Sequence, residues 1–492
     1  MLALPCCRRG SEGVSAPPTV TRGEQLPNII LLTVDTLRAD HIALHGYGRN
    51  TMPSVEAFAK TARVFDNAVV PRGSTRPSYA SMLTGLYPYR HGVRTNTTEL
   101  HEDLLTLPEV LKSAGYHTAG FVSNSVLMAD WSGFGQGFDV YDDRLEETES
   151  KRDALGLQYE RTARNTLHAI LAWLAADPPQ PFFLFVNFID PHGPYNPPAK
   201  YRKLYRTDKT RLLERRQMPR YQFIDGEYNY HDYVDRYDGE IHYAGEAVGI
   251  LMDDLKSRGL WNDSFAIFTA DHGECLGTHN IYFEHHYHVW EETMHVPLAI
   301  RLPDSSTPSE AVKPGRTDAL VSPMDLPPTI LGYLKIASDV DFDGRSLMPI
   351  LAGGKPVDRA LLLECLGVRI ARGKKGDLYA LRTATHKLMR ILRQGTHRQV
   401  SQVIYHVAKD PTEKQSILFD AGNSQHRDLG GRLDAMLTRV HAYALPFSVT
   451  QYKMPPQNLP GVKSRAGHGD KVGYKRLTTQ QAERLRSLGY VQ

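Results

Sequence analysis

The stretch Ile29-Ile30-Leu31-Leu32-Thr33-Val34-Asp35 decides how the chain is read. An unbroken apolar run opened by Pro27-Asn28 is the pattern of a strand covered on both faces, which parallel sheets produce. It closes on a carboxylate. A carboxyl group at the end of a buried strand is costly unless something pairs with it, so Asp35 is a candidate metal ligand. The same grammar recurs twice: Phe182 to Phe188 runs into Asp190-Pro191-His192, and Ser264 to Thr269 runs into Ala270-Asp271-His272-Gly273-Glu274. Further strands are expected at Val64 to Val70, Thr118 to Val122 and Val296 to Arg301. Helical patterns fill the gaps at Met52 to Ala62, Leu107 to Ala114, Glu160 to Ala175, Tyr237 to Ser257 and Met324 to Leu334. Strands alternating with helices imply a mostly parallel sheet flanked by helices, whose ligands bind outside the carboxyl ends of the strands. Asp35, His192, Asp271 and His272 all fall at such ends, which places two carboxylates and two imidazoles along one crevice.

A second stretch completes the set. Arg72-Gly73-Ser74-Thr75-Arg76-Pro77-Ser78-Tyr79-Ala80-Ser81-Met82-Leu83-Thr84-Gly85 reads as a loop turning into a helix. Pro77 suits a first turn, Ser78 and Ser81 are available to exposed backbone donors, and Gly85 suits a stop. Thr75 then lies just ahead of a helix N-terminus, where unpaired N–H groups and a partial positive charge favour an oxyanion.

The 492 residues suit one large α/β domain with a smaller C-terminal piece. From about Ala360 the pattern changes to short alternating strands, Tyr379 to Arg382, His386 to Leu392 and Val403 to Val407, which predict a small antiparallel sheet. The expected organisation is a disordered tail over 1–27, the α/β catalytic domain over 28–358, the small-sheet subdomain over 359–445 and a surface tail over 446–492 ending in a short helix, Thr479 to Leu488. A net charge of +3 argues against a nucleic-acid binder. Nine Lys or Arg between Lys200 and Arg220 would form a rim that attracts anions if they border the site. The four cysteines, Cys6, Cys7, Cys275 and Cys365, have neither metal-ligand spacing nor a disulfide framework. The longest apolar runs are of strand length, so no membrane span is expected. Met1 to Cys7 is too short for a secretory signal. A truncated signal would imply a periplasmic or extracellular protein, and its absence a cytoplasmic one.

Several motifs together resemble the sulfatase family of the alkaline phosphatase superfamily. They are Pro27 to Asp40, Thr75 to Val93, Asp190-Pro191-His192, Tyr237 to Ile241, Thr269 to Glu274, Glu291 to Leu298 and, in the smaller piece, Ile404 to Glu413. The resemblance spans about residues 27 to 420 in the family's order. It implies the alkaline-phosphatase-like α/β fold, one divalent metal held by Asp35, Asp271 and His272, and Thr75 facing that metal as nucleophile. It implies further that His192 and His285 or His286 contact the anion or leaving group, and that Arg94 and Asn96 contact the anion.

The sequence departs from the family at telling places. The best-known sulfatases oxidise the cysteine of Cys-x-Pro-x-Arg to formylglycine, and here those end positions are Thr75 and Tyr79. A threonine cannot yield that aldehyde, so no formylglycine is expected. What remains is a Thr75 hydroxyl acidified by metal coordination, attacking sulfur or phosphorus in line, with water then cleaving the ester intermediate. Asp35-Thr36 and Asp271-His272 stand where the family usually has paired acids and an Asp-Asn pair. Trading carboxylate for imidazole favours Mn²⁺ or Zn²⁺, with Ca²⁺ still possible, and brings the chain nearer to phosphonate monoester and phosphodiester hydrolases. The leading expectation is a hydrolase of a sulfate, phosphate or phosphonate ester, its substrate an anionic ester of a small molecule, saccharide or lipid. A phosphoethanolamine-type transferase and a catalytically silent binding protein are the alternatives.

Overall fold

The computed structural model describes residues 26–145, 160–306, 314–370 and 374–443. Most of the expected N-terminal tail and the whole of the expected C-terminal tail, with the helix expected at Thr479 to Leu488, lie outside the described residues.

An eight-stranded sheet carries the molecule. In chain order its strands are β1 (Asn28–Val34), β2 (Arg63–Val69), β3 (His117–Phe121), β4 (Val140–Asp142), β5 (Phe182–Phe188) and β6 (Ser264–Ala270), then, after a two-stranded ribbon of β7 (Cys275–Leu276) and β8 (Tyr282–Glu284), β9 (His295–Arg301) and β10 (Gly315–Val321). Their spatial order is β10-β2-β9-β6-β1-β5-β3-β4. β1 lies at the centre, paired in parallel with β5 on one side and β6 on the other. All neighbours are parallel except β9, which runs against both β2 and β6. Ile29, Ile30, Leu31 and Val34 have no exposed surface, as an apolar strand inside a two-sided sheet requires. Each such side chain contributes about 1.5–3 kcal/mol of burial.

Two helices start elsewhere than the pattern suggests. The long helix runs from Tyr230 to Ser257, seven residues earlier than Tyr237, because the Asn229 side chain accepts from the His231 amide and caps the extra turns. The helix expected from Glu160 begins at Ala163 instead, since Glu160 is drawn into a β-bridge with Asn124.

The smaller antiparallel sheet contains β11 (Ala360–Arg369), β12 (Lys375–Thr383), β13 (Lys387–Arg393), β14 (Gln399–Tyr405) and β15 (Ile417–Leu418), in that order. Strand alternation splits its side chains between two cores. Leu361, Leu363 and Cys365 join the main core, while Leu362, Leu381 and Leu388 pack with Leu429, Leu433 and Leu437 of the helix Ser424–Ala442. The sheet is therefore held between the α/β layer and its own helix. No described helix is long and apolar enough to cross a membrane.

Candidate active site

Asp35 leaves the end of β1, with its amide bonded to the Phe188 carbonyl of β5, and Asp271 and His272 leave the end of neighbouring β6. One ligand atom from each of Asp35, Asp271 and His272 lies within 4.8 Å of the others, the only such metal-competent group among the described residues. All three side chains are fully buried. Their orientation is fixed from behind. Asn124 donates to Asp35 Oδ2 at 2.7 Å, and the amides of His272 and Thr36 donate to Asp271 Oδ1 at 2.9 and 3.3 Å. His272 Nδ1 donates to the Gly273 carbonyl at 2.8 Å, which leaves Nε2 as a bare acceptor. That nitrogen lies 3.4 Å from Asp271 Oδ2 and 4.0 Å from Asp35 Oδ1.

Asp35 Oδ1 and Asp271 Oδ2 are buried with no hydrogen-bond donor. Burial, reinforced by the Asp271 charge, pushes the Asp35 carboxyl up to about 7, and burial likewise lifts Asp271 to about 7. Burial also pulls the His272 imidazole below its ordinary value. Two carboxylate oxygens and a neutral imidazole nitrogen, mutually close and otherwise unsatisfied, fit a divalent cation, which supplies the charge that each of them lacks.

Thr75 is the first residue of the helix Thr75–Thr84, one step inside the end where it was expected. Its Oγ1 lies 3.4 Å from His272 Nε2 and the residue is 1% exposed. The helix is seated by Ser78, whose hydroxyl donates to the Asp271 carbonyl at 2.5 Å. Ser81 is spent on His91 at 3.0 Å, so neither serine serves the helix N-terminus. That service comes from Asn96, whose Oδ1 accepts from the Arg76 amide at 2.9 Å and from the Ser74 hydroxyl at 3.0 Å. Asn96 thus spends its side-chain oxygen on bracing the loop around Thr75. Arg94 is also committed elsewhere: its guanidinium forks onto Glu364 at 2.9 and 2.5 Å.

Three more imidazoles complete the wall. His285 lies against His272, ring centroids 4.4 Å apart, with His192 at 5.3 Å and His286 at 4.0 Å from it. Both His285 and His286 are therefore brought to the site. His285 Nδ1 meets Glu274 Oε1 at 3.1 Å, and Tyr195 donates to the other Glu274 oxygen at 3.0 Å. His286 Nδ1 donates to the Ser74 hydroxyl at 3.1 Å. Burial drives both imidazoles well below their ordinary value. His192 is the exception: burial lowers it, but Glu160, Asp35 and Glu274 outweigh that and raise it to about 9. The other histidines of the cluster turn away, His279 to Glu292 and His288 against Trp290.

The formylglycine signature's arginine position holds Tyr79, which is completely buried. Its hydroxyl accepts from Asn187 Nδ2 at 2.8 Å and lies 2.7 Å from Thr33 Oγ1, itself bonded to the Val186 carbonyl. Asn124, Glu274 and Tyr195 escape a reading of the sequence because they act as partners of other side chains.

The sulfatase family model matches residues 27–336. The chain belongs to the sulfatase family. A model of the N-sulphoglucosamine sulphohydrolase C-terminal region matches residues 277–442. Among sequence relatives, the multifunctional alkaline phosphatase superfamily protein PehA of Trinickia caryophylli is 26% identical over 410 residues, covering 67% of this chain and 78% of its own. An ulvan-active sulfatase of Formosa agariphila is 25% identical over 437 residues, covering 84% and 80%. The phosphonate monoester hydrolase of Agrobacterium radiobacter superposes with a TM-score of 0.67 at 21% identity, over 85% of this chain and 95% of its own. The expected alkaline-phosphatase-like fold and the expected sulfatase-like ester hydrolase class both stand.

Proposed function

We propose that this sulfatase-family chain is a metal-dependent hydrolase that cleaves a sulfate, phosphate or phosphonate ester by in-line attack of the Thr75 hydroxyl. The observation that carries the reading is the place of Thr75: its Oγ1 faces bare His272 Nε2 at 3.4 Å, beside two carboxylate oxygens that lack donors. Asp35, Asp271 and His272 would hold the ion, and the mixed oxygen and nitrogen set suits Mn²⁺ or Zn²⁺ better than Ca²⁺. A divalent ion bound there supplies positive charge that acidifies a neighbouring hydroxyl and offsets charge on the ester oxygens.

The chain's own groups divide the remaining work. Thr75 attacks from a helix N-terminus whose amides favour the anionic ester. His192, whose Nδ1 lies 3.5 Å from Glu160 Oε1, gives a proton to the departing oxygen. His285, its Nδ1 proton directed to Glu274, presents Nε2 as acceptor for the proton of the water that releases Thr75. The names of the relatives support sulfated saccharides and phosphonate monoesters as the substrate classes to try first.

Purified protein is to be offered aryl sulfate, phosphate monoester, phosphate diester and phosphonate ester with Mn²⁺, Zn²⁺ or Ca²⁺, beside Thr75→Ala. Turnover of at least one ester, lost in the variant, is expected. Turnover that survives Thr75→Ala unchanged removes the nucleophile.

A further inference from the structure

β11 is the outer strand of the small sheet, so one row of its backbone groups is free to engage the α/β layer. Two consecutive residues do so at the loop that carries Thr75. The Glu364 amide donates to the Pro71 carbonyl at 3.0 Å, while its carboxylate, 1% exposed, takes Arg72 at 3.4 Å and the fork of Arg94. On the opposite face, the Cys365 thiol donates to the His286 carbonyl at 2.8 Å. His286 has a φ of +92°, a left-handed conformation that costs a non-glycine residue about 1–3 kcal/mol and persists only where surroundings impose it. Among the contacts that hold it are this thiol at its carbonyl, Ser74 at its ring and the His285 ring 4.0 Å away. From there the chain of hydrogen bonds continues: His286 Nδ1 to Ser74 Oγ, Ser74 Oγ to Asn96 Oδ1, and the Arg76 amide to the same oxygen.

We propose that Glu364 and Cys365 are positioning residues, gripping the nucleophile loop from both sides so that Thr75 is aimed before substrate arrives. The proposal rests on the reading of Thr75 as nucleophile. Residues 71, 72 and 74 are fixed through β11 and residue 76 through Asn96, so Thr75 is bracketed without either β11 residue touching it. A loop left loose by an ångström can cost up to about a hundredfold in rate, since the attacking oxygen must be near and in line at every encounter. The small sheet is on this account part of the catalytic apparatus.

The test compares Cys365→Ala, Cys365→Ser and Glu364→Gln with the parent, in two readouts. The first is kcat and KM on whichever ester the parent cleaves. The second is amide hydrogen exchange over residues 72–79 in the metal-loaded proteins, which needs no turnover. Cys365→Ala is expected to lower kcat about tenfold with KM within about twofold, and to speed exchange over 72–79 about tenfold. Cys365→Ser, which keeps a donor for the His286 carbonyl, is expected to restore most of both. Glu364→Gln is expected to behave as Cys365→Ala does. Unchanged kcat and unchanged exchange in Cys365→Ala and Glu364→Gln overturn the proposal, whatever happens to melting temperature. Failure of the parent to cleave any ester defeats the functional reading instead, and the exchange data still decide the grip on the loop.

Discussion

Asn124 donates its side-chain amide to Asp35 Oδ2 at 2.7 Å while its own oxygen accepts from the Val126 amide at 3.0 Å. The second bond fixes which end of the amide faces Asp35. One carboxylate oxygen is thereby satisfied and the other, Oδ1, is turned toward Asp271 and His272 with no donor. Residues standing behind a ligand in this way orient it and tune its affinity.

Asn124→Ala should therefore weaken divalent-ion binding by about 10- to 100-fold without unfolding the protein. Equilibrium dialysis against Mn²⁺ or Zn²⁺ checks this. An unchanged dissociation constant would mean that Asp35 holds its orientation unaided.

Tyr79 illustrates the opposite case, a residue at a catalytic motif position that has become structural. Its hydroxyl links β1, through Thr33, to β5, through Asn187, inside the sheet. Tyr79→Phe leaves the Asn187 amide short of an acceptor in a buried place, and should cost about 1–3 kcal/mol in urea denaturation. Metal affinity should stay as in the parent, because Tyr79 hydrogen-bonds to none of the three candidate ligands.

His91 supplies a pH prediction remote from the metal site. Its Nδ1 accepts from the Val93 amide at 3.1 Å and its Nε2 faces the Ser81 hydroxyl, an arrangement that needs a neutral ring. Burial, with Arg94 adding, pulls its pKa down to about 3. The folded-state value lies below the unfolded one, so the unfolded chain binds the proton first. Stability is full above the ordinary histidine range and is lost as pH falls from there toward 3. The expected slope from this residue is about 1.4 kcal/mol per pH unit, read as unfolding free energy at a series of pH values. His91→Gln should be less stable throughout and show a shallower slope.

The positions of the four strand-exit residues, Asp35, His192, Asp271 and His272, and of Thr75 were legible in the sequence because each depends on a local pattern: a buried strand ending in a polar residue, or a loop turning into a helix. Partners chosen across the fold were not. Arg94 and Glu364 stand 270 residues apart, and nothing local in the Arg94 loop tells that its guanidinium pairs with the small sheet. The reversed direction of β9 is invisible for the same reason, since its residues read as a strand either way and only pairing with β2 and β6 sets the direction. Asn96 lies beside Thr75, its acceptor oxygen used by backbone and hydroxyl donors of that loop.

A Thr75 nucleophile must take up the sulfuryl, phosphoryl or phosphonyl group of the ester before water releases it, so a covalent adduct at this residue is the decisive observation. The metal-loaded protein is mixed with a slow ester substrate, quenched in acid, digested, and the peptide containing Thr75 is weighed and sequenced by mass spectrometry. The account predicts the mass of a sulfuryl, phosphoryl or phosphonyl group on Thr75, absent when metal is stripped and absent in Thr75→Ala. An adduct on another residue, or steady turnover by Thr75→Ala, would contradict it.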